Sequence, residues 1–236
     1  MAEIDATGRS TREINSAIRR FIAESAKEIT VRNPGARHNL AVAILDEVRI
    51  RMAGSVGYYC GGLIDGGSIE IEGSAGWGLA ESMLSGMVRV HGSAGSGAAA
   101  AIRGGTVVIH GDAAARLGVS MKGGTVIVAG NCGYMAGFMA QKGTLIVCGD
   151  AGEAFADSMY AAVCYVGGKI SNLGTDAVLT TMDSSEAEQL EKILRCHLPP
   201  SLRNSKPAAA DFTKVVAGRK LWNFDKRDWR IWQEAL

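Results

Sequence analysis

The chain has 236 residues, with 25 Lys and Arg against 24 Asp and Glu, and 47% of its residues are hydrophobic. That length gives ample core for one sizeable domain, while a net charge of +1 offers no electrostatic case for nucleic acid or an anionic membrane surface. Five cysteines without a CxxC pair compose neither a disulfide framework nor a zinc site.

The first twenty residues carry charge throughout and lack an apolar h-region, so no secretory signal is expected and the cytoplasm is the expected compartment. Residues 1–28 read as a helical cap. Ser10 and Glu13 match a capping box, and Ile14, Ile18, Phe21 and Ile22 recur at helical spacing. Such a helix would pack its apolar stripe on the first layer of whatever follows.

Residues 29–175 are punctuated by glycine: 29 of the 31 glycines lie between Gly35 and Gly174. Gly35, Gly54, Gly73, Gly92, Gly111, Gly130, Gly149 and Gly168 are spaced by 19 residues, and Gly67, Gly86, Gly105, Gly124 and Gly143 form a second row. Ser55, Ser74, Ser93, Asp112, Asn131 and Asp150 follow the first row. Their side chains are expected to bond their own backbone, beside glycines free to take positive φ.

Between the rows, short segments such as Ser68–Glu72 alternate with period two, as strands do. Three apolar columns stack at the same period: Ile50, Ile69, Val88, Val107, Val126, Leu145; Met52, Ile71, Val90, Ile109, Val128, Val147; and Leu45, Ile64, Met83, Ile102, Met121, Ala140, Met159. A unit of 19 residues is too short for a βαβ repeat. Like residues in register are what a solenoid needs, because a coil buries its inner face only against its neighbours. The spacing therefore predicts an all-β fold, a single-stranded parallel β-helix of about eight coils, right-handed by the general chirality of parallel crossovers. The uncharged run Gly123 to Gln141 falls within this repeat and is not read as a membrane span. The outward column runs Arg32, Arg51, Glu70, Arg89 and then Val108, Ile127, Ile146, Tyr165. An apolar outer face asks for a cover, either the chain's own tail or another subunit.

Residues 176–236 differ in composition. A helix is expected from about Ser185 to Cys196, capped by Ser185 and Glu188, and Ser201 to Ala210 reads as an extended linker. The last segment gathers Phe212, Trp222, Phe224, Trp229 and Trp232 among basic residues, an anchoring composition for a protein partner or for the chain's own coils. The partner-interface candidates are thus Val108, Ile127, Ile146, Tyr165, Trp222, Phe224, Trp229 and Trp232.

Chemistry is sparse. His91 and His110 occupy equivalent positions, with Glu72 one coil earlier, but the column continues to Ala129 and Cys148, so a solvated ladder is favoured over a metal site. Cys60 and Cys164 fall in apolar columns, and nothing pairs Cys132, Cys148 or Cys196 with a base. The runs GSAGWG and GSAGSGAAA lack the lysine and Ser/Thr that end a phosphate loop. No catalytic, cofactor-binding or metal-binding residue is assigned.

GGSIEIEGSAGWG, SGMVRVHGSAG and KGGTVIVAGNCG share a G-x-[IV]-x-[IV]-x-G-x-x-G pattern that resembles the GXGXG β-helix domain of glutamate synthase large subunits. The flanks VRNPGARHNLAVAI and GEAFADSMYAAVCYVGG also resemble that domain, over about residues 29–175; Ala114 and Arg116 depart from it where neighbouring coils carry Gly95 and Gly97. As a chain with its own arms, it is similar to the separate β-helix subunit of N-methylglutamate synthases. The resemblance implies a non-catalytic assembly subunit that holds a glutamine amidotransferase-like chain and an FMN-binding chain together, for the conversion of glutamate and methylamine to N-methylglutamate and ammonia. FMN and an iron–sulfur cluster would then belong to a partner, with no cofactor in this chain. The same fold resembles the β-helix chain of formylmethanofuran dehydrogenase and of formyltransferase/hydrolase complexes, the alternative assembly. An independent β-helix enzyme or binding protein, using the histidine ladder or a groove beside Tyr58 and Trp77, is a third reading.

Overall fold

A computed structural model describes residues 2–219. In chain order the elements are β1 (Ala2–Asp5), α1 (Thr11–Ala23), β2 (Glu28–Arg32), β3 (Arg49–Ala53), β4 (Ser68–Ile71), β5 (Met87–Val90) and β6 (Thr106–Ile109). There follow β7 (Lys122–Val128), β8 (Lys142–Val147), β9 (Val163–Val166), β10 (Ala177–Thr180), α2 (Ser184–His197), α3 (Pro200–Arg203), a 3₁₀ turn (Ala209–Asp211) and β11 (Thr213–Ala217). Strands β1 to β9 lie side by side in sequence order and every neighbouring pair is parallel. This is the expected parallel β-helix, with seven turns of chain joining β2 to β9.

The inner columns are buried as the periodicity requires: Ile50 to Leu145 and Met52 to Val147 are all 2% exposed or less. Opposite the sheet, isolated parallel bridges link Val56, Ala75, Ala94, Ala113, Cys132, Ala151 and Ile170, a further inward row in which small side chains suit a narrow coil. The third side of each coil runs through left-handed backbone at alternate residues, as at Gly97, Ala99 and Ala101 or Arg116, Gly118 and Ser120. Arg116 takes φ +59 where Gly97 takes +70, so the coil that departs from the glycine pattern keeps the same path.

The two glycine rows do different work. Gly67, Gly86, Gly105, Gly124 and Gly143 all have positive φ, which their lack of a Cβ permits. In the first row, Gly73, Gly92, Gly111, Gly130, Gly149 and Gly168 do not; they are glycine for space. A Cβ on any of them would lie 2.2–2.5 Å from a side-chain oxygen of the coil before. Contrary to the expectation from sequence, those oxygens do not bond their own turn. Ser55, Ser74 and Ser93 Oγ, Asp112, Asn131 and Asp150 Oδ1 each accept the backbone N–H of the equivalent residue one coil on, at 2.7–3.2 Å. A polar ladder thus runs along one corner.

The first coil breaks the spacing. Ile29 pairs with Ile50 and Thr30 with Arg51, an offset of 21, so Thr30 and not Arg32 begins the outward column. Leu45 is 68% exposed and Ile44 takes the inward place. The N-terminal cap contains the expected helix with its Ser10–Glu13 box, but β1 precedes it and adds a strand to the sheet. Ile14 and Ile18 enter the core. Residues one turn apart on another face close the first coil's open backbone: Thr11 Oγ1 donates to His38 O, Asn15 Nδ2 to Asn39 O, and Arg19 to Val42 O, while Asn15 Oδ1 accepts the Ala41 N–H.

At the other end the tail corrects two expectations. The cap of α2 is Asp183 with Glu186 and not Ser185 with Glu188. Residues 201–210 hold the rest of α3 and the start of the 3₁₀ turn in place of an extended linker. The chain then returns as β11, antiparallel to both β9 and β10, and closes the last coil.

Candidate functional site

The outward column of the sheet runs Arg51, Glu70, Arg89, Val108, Ile127, Ile146, Tyr165, each paired in register with the next. Its charged half carries ion pairs, Arg49 with Glu28 at 3.2 Å, Arg51 with Glu72, and His91 with Glu70 at 2.8 Å. Exposed pairs of this kind add little stability but keep the face solvated.

The apolar half is sealed by the chain itself. Val108, Ile127 and Ile146 are wholly buried beneath Leu190, Leu194 and Leu198 of α2 and its cap, Ala209 and Phe212, with Tyr165 packed at the edge. The three leucines recur at i, i+4 and i+8, one helix face laid on one sheet face. Lys214, opposite Tyr165 on β11, pairs with Glu186 of α2 and ties the cover together. Val108, Ile127 and Ile146 are therefore not an interface awaiting another subunit, because the tail supplies enough apolar surface to cover them, while Tyr165 is only partly covered. Trp222, Phe224, Trp229 and Trp232 lie outside the described residues.

Where the cover ends, a cleft of about 640 Å³ opens between the last turn of α2, Pro199–Leu202 and the strand ends at Arg89 and His110. His91 and His110 do stack one coil apart, edge to face at 4.9 Å. Glu72 turns away to Arg51, and Glu70 from the strand below bonds His91 instead. Among the described residues no three His, Cys, Asp or Glu side chains are placed to hold a metal ion. The cleft adds His197 from α2, a residue that no periodicity in the sequence singles out. Arg89 Nε, His110 Nε2 and His197 Nδ1 are buried without a hydrogen-bond partner. Burial, with the His91 and Arg89 charges behind it, holds His110 below the ordinary histidine range; burial and Arg89 do the same to His197.

The cysteines behave as small hydrophobes. Burial pushes the Cys60 and Cys132 thiols up to about 12 and Cys148 to about 11, and raises Cys164 as well. Cys196 alone is exposed. No polar or charged residue is fully buried among the described residues.

A second surface feature lies on a turn of the early coils. His38, Tyr58 and Trp77 stack in sequence, with centroids 4.3 and 5.2 Å apart and planes within 17°. Tyr58 N–H donates to His38 Nδ1 at 2.9 Å, fixing the first ring. Tyr58 and Trp77 are nonetheless 46% and 60% exposed, and Leu63 and Leu84 are exposed on the neighbouring part of the same coils. The spacing of 19 pointed to Tyr58 and Trp77; His38 sits 20 before Tyr58 and escaped it.

No family model matches the chain, and no curated protein matches its sequence. Among solved structures, it is similar to a chain of the formyltransferase/hydrolase complex of Methylorubrum extorquens, solved with methylofuran: 22% identity over 88% of this chain and 86% of that chain, with a TM-score of 0.66. At that identity the likeness is one of fold, and it extends over nearly the whole of both chains.

Proposed function

We propose that this chain is a non-catalytic structural subunit of a heteromeric enzyme, a rigid β-helix on which other chains are assembled. The observation that carries this reading is the interior: the inward columns are aliphatic or small apart from Phe155, and no polar or charged residue is buried within the coil among the described residues. The exposed stack of Tyr58 and Trp77 is the docking surface for a partner, since large rigid rings at a surface are typical anchors of protein interfaces. Two assemblies fit. The fold likeness to a chain of a formyltransferase/hydrolase complex supports that type. The flanks VRNPGARHNLAVAI and GEAFADSMYAAVCYVGG support an N-methylglutamate synthase, with FMN and an iron–sulfur cluster in a sister chain.

Purification of the tagged chain from its native cells, with mass spectrometry and an absorbance spectrum, separates these. Formyltransferase/hydrolase chains identify the first assembly. An amidotransferase-like chain with a flavin-bearing chain identifies the second. Tyr58→Ala with Trp77→Ala should release the partners while the purified chain keeps its fold. Recovery of the wild-type chain alone refutes the scaffold reading.

A further inference from the structure

We propose that the cleft between the end of α2 and strands β5 and β6 is a binding site for a small oxyanion, a phosphate or carboxylate group, held by Arg89, His110 and His197. This goes beyond the scaffold reading and does not depend on which complex the chain joins.

The first ground is the charge of the walls. Two arginines, Arg89 and Arg195, and three of the chain's four histidines line the cleft, and no carboxylate does. Arg195 is paired with Glu191 on its own helix and His91 with Glu70 from behind. Among the described residues Arg89 has no carboxylate partner; its nearest polar contact is a long one, from a terminal nitrogen to Met87 Sδ at 3.7 Å. A guanidinium left this way is a strong site for a planar or tetrahedral oxyanion.

Independent of charge, there is an unmet need for acceptors. Arg89 Nε, His110 Nε2 and His197 Nδ1 are the buried side-chain polar atoms that lack a partner among the described residues, and all three belong to residues that line this one cleft. Buried polar atoms are normally bonded, and leaving one unmade is costly, so three in one place point to a ligand that meets them together. Arginine Nε–H and a protonated imidazole offer donors only, and an oxyanion supplies acceptors to several of them at once. His91, Arg89 and Glu70 face His110, and Arg89 faces His197. A bound negative charge would favour the imidazolium of both.

Four histidines make ring NMR a direct reading. The full chain is titrated with inorganic phosphate and with acetate, each against sodium chloride of matched ionic strength, and the pH midpoints of the histidine rings are followed. A bound oxyanion should raise the His110 and His197 midpoints saturably, by about one pH unit. His38, stacked on Tyr58 on another side of the coil, should not move. Saturation with phosphate alone identifies a phosphate site, and saturation with acetate a carboxylate site. Arg89→Gln should abolish it, and His197→Asn should weaken it should the first variant fold poorly. Equal shifts in chloride, or saturation unchanged in the variants, would overturn the proposal.

Discussion

Two glycine-to-alanine substitutions, at Gly118 and Gly130, should differ in the direction opposite to the one their φ angles suggest. Gly118 sits at φ +62, where an L residue is strained, yet a Cβ there would meet nothing closer than Met121 Sδ at 3.6 Å. The equivalent places one and two coils earlier are Ala99 and Ala80, both at positive φ. Gly118→Ala should therefore cost about 1–2 kcal/mol for the left-handed backbone, offset by about 0.4–1 kcal/mol from a less flexible unfolded chain. The net loss is about 1 kcal/mol. Gly130 has no positive φ, but its Cβ would lie 2.2 Å from Asp112 Oδ1 and 2.7 Å from Gly111 O. Two coils would have to part there, at the Gly130 N–H to Gly111 O bond of 3.0 Å, and Asp112 would have to release the Asn131 N–H that it holds at 2.7 Å, since the Cβ meets both oxygens. Overpacking costs about 1–3 kcal/mol and a hydrogen bond to a charged group about 1.5–3 kcal/mol. Gly130→Ala should thus lose about 3–5 kcal/mol. Urea midpoints at unchanged slope give both values. If Gly118→Ala proves as damaging as Gly130→Ala, then space between coils is not why the first glycine row exists.

Phe212→Ala should cost about 3–5 kcal/mol and loosen the tail; hydrogen exchange should then rise in α2 and β11 but not in β3 to β6, and an apolar dye should find Val108, Ile127 and Ile146. A thiol reagent should modify one cysteine of five in the folded chain, Cys196, and all five in denaturant, because the other four are buried with raised thiols; a second fast thiol would contradict the packing. Tail docking should weaken on acidification. His110 and His197 are harder to protonate folded than unfolded, so their contribution is complete above the unfolded value of about 6.5 and is lost as pH falls through the lowered folded values. Exchange protection of α2 that stays constant across that window, after correction for intrinsic rates, would show that neither ring is held neutral by the tail.

The coils were legible because each one repeats the same demand at the same spacing, and from Arg49 onward neighbouring strands keep an offset of 19 apart from the irregular Lys122–Lys142 pair. Glycine itself is ambiguous: the letter does not say whether it grants a dihedral angle or a gap, and only the neighbouring coil's Ser or Asp side chain decides. The first coil failed because its offset of 21 leaves no periodic trace, so Leu45 took the place of Ile44 and Arg32 that of Thr30. The apolar turn of the outward column showed that a cover was needed. Its identity was also written, in Leu190, Leu194 and Leu198 at helical spacing, but the column by itself does not choose between the chain's own tail and another subunit. Asp183 and Ser185 both begin an S/T/D-x-x-E pattern, and sequence alone does not choose between them. The meeting of Arg89 with His197 spans more than a hundred residues and leaves no local signal.

How the ends are closed bears on where partners can sit. A parallel solenoid ends in strand edges and bare backbone groups, which invite another copy to continue the stack. Here the Asn15 carboxamide acts as a peptide group would, giving a donor to Asn39 O and an acceptor to the Ala41 N–H, with Thr11 and Arg19 serving the carbonyls on either side. At the far end β11 reverses direction, so the parallel register that another coil would require stops at β9. The later half of the sheet face is occupied by α2 and Phe212. A chain built in this way has one lateral face already filled. On the proposed reading, its partners meet the charged first half of the sheet face and the His38–Tyr58–Trp77 stack, both belonging to the early coils. On the same proposed reading the tail has a role of its own: by covering Val108, Ile127 and Ile146 it removes the competing apolar surface, so that the early coils are left for partners.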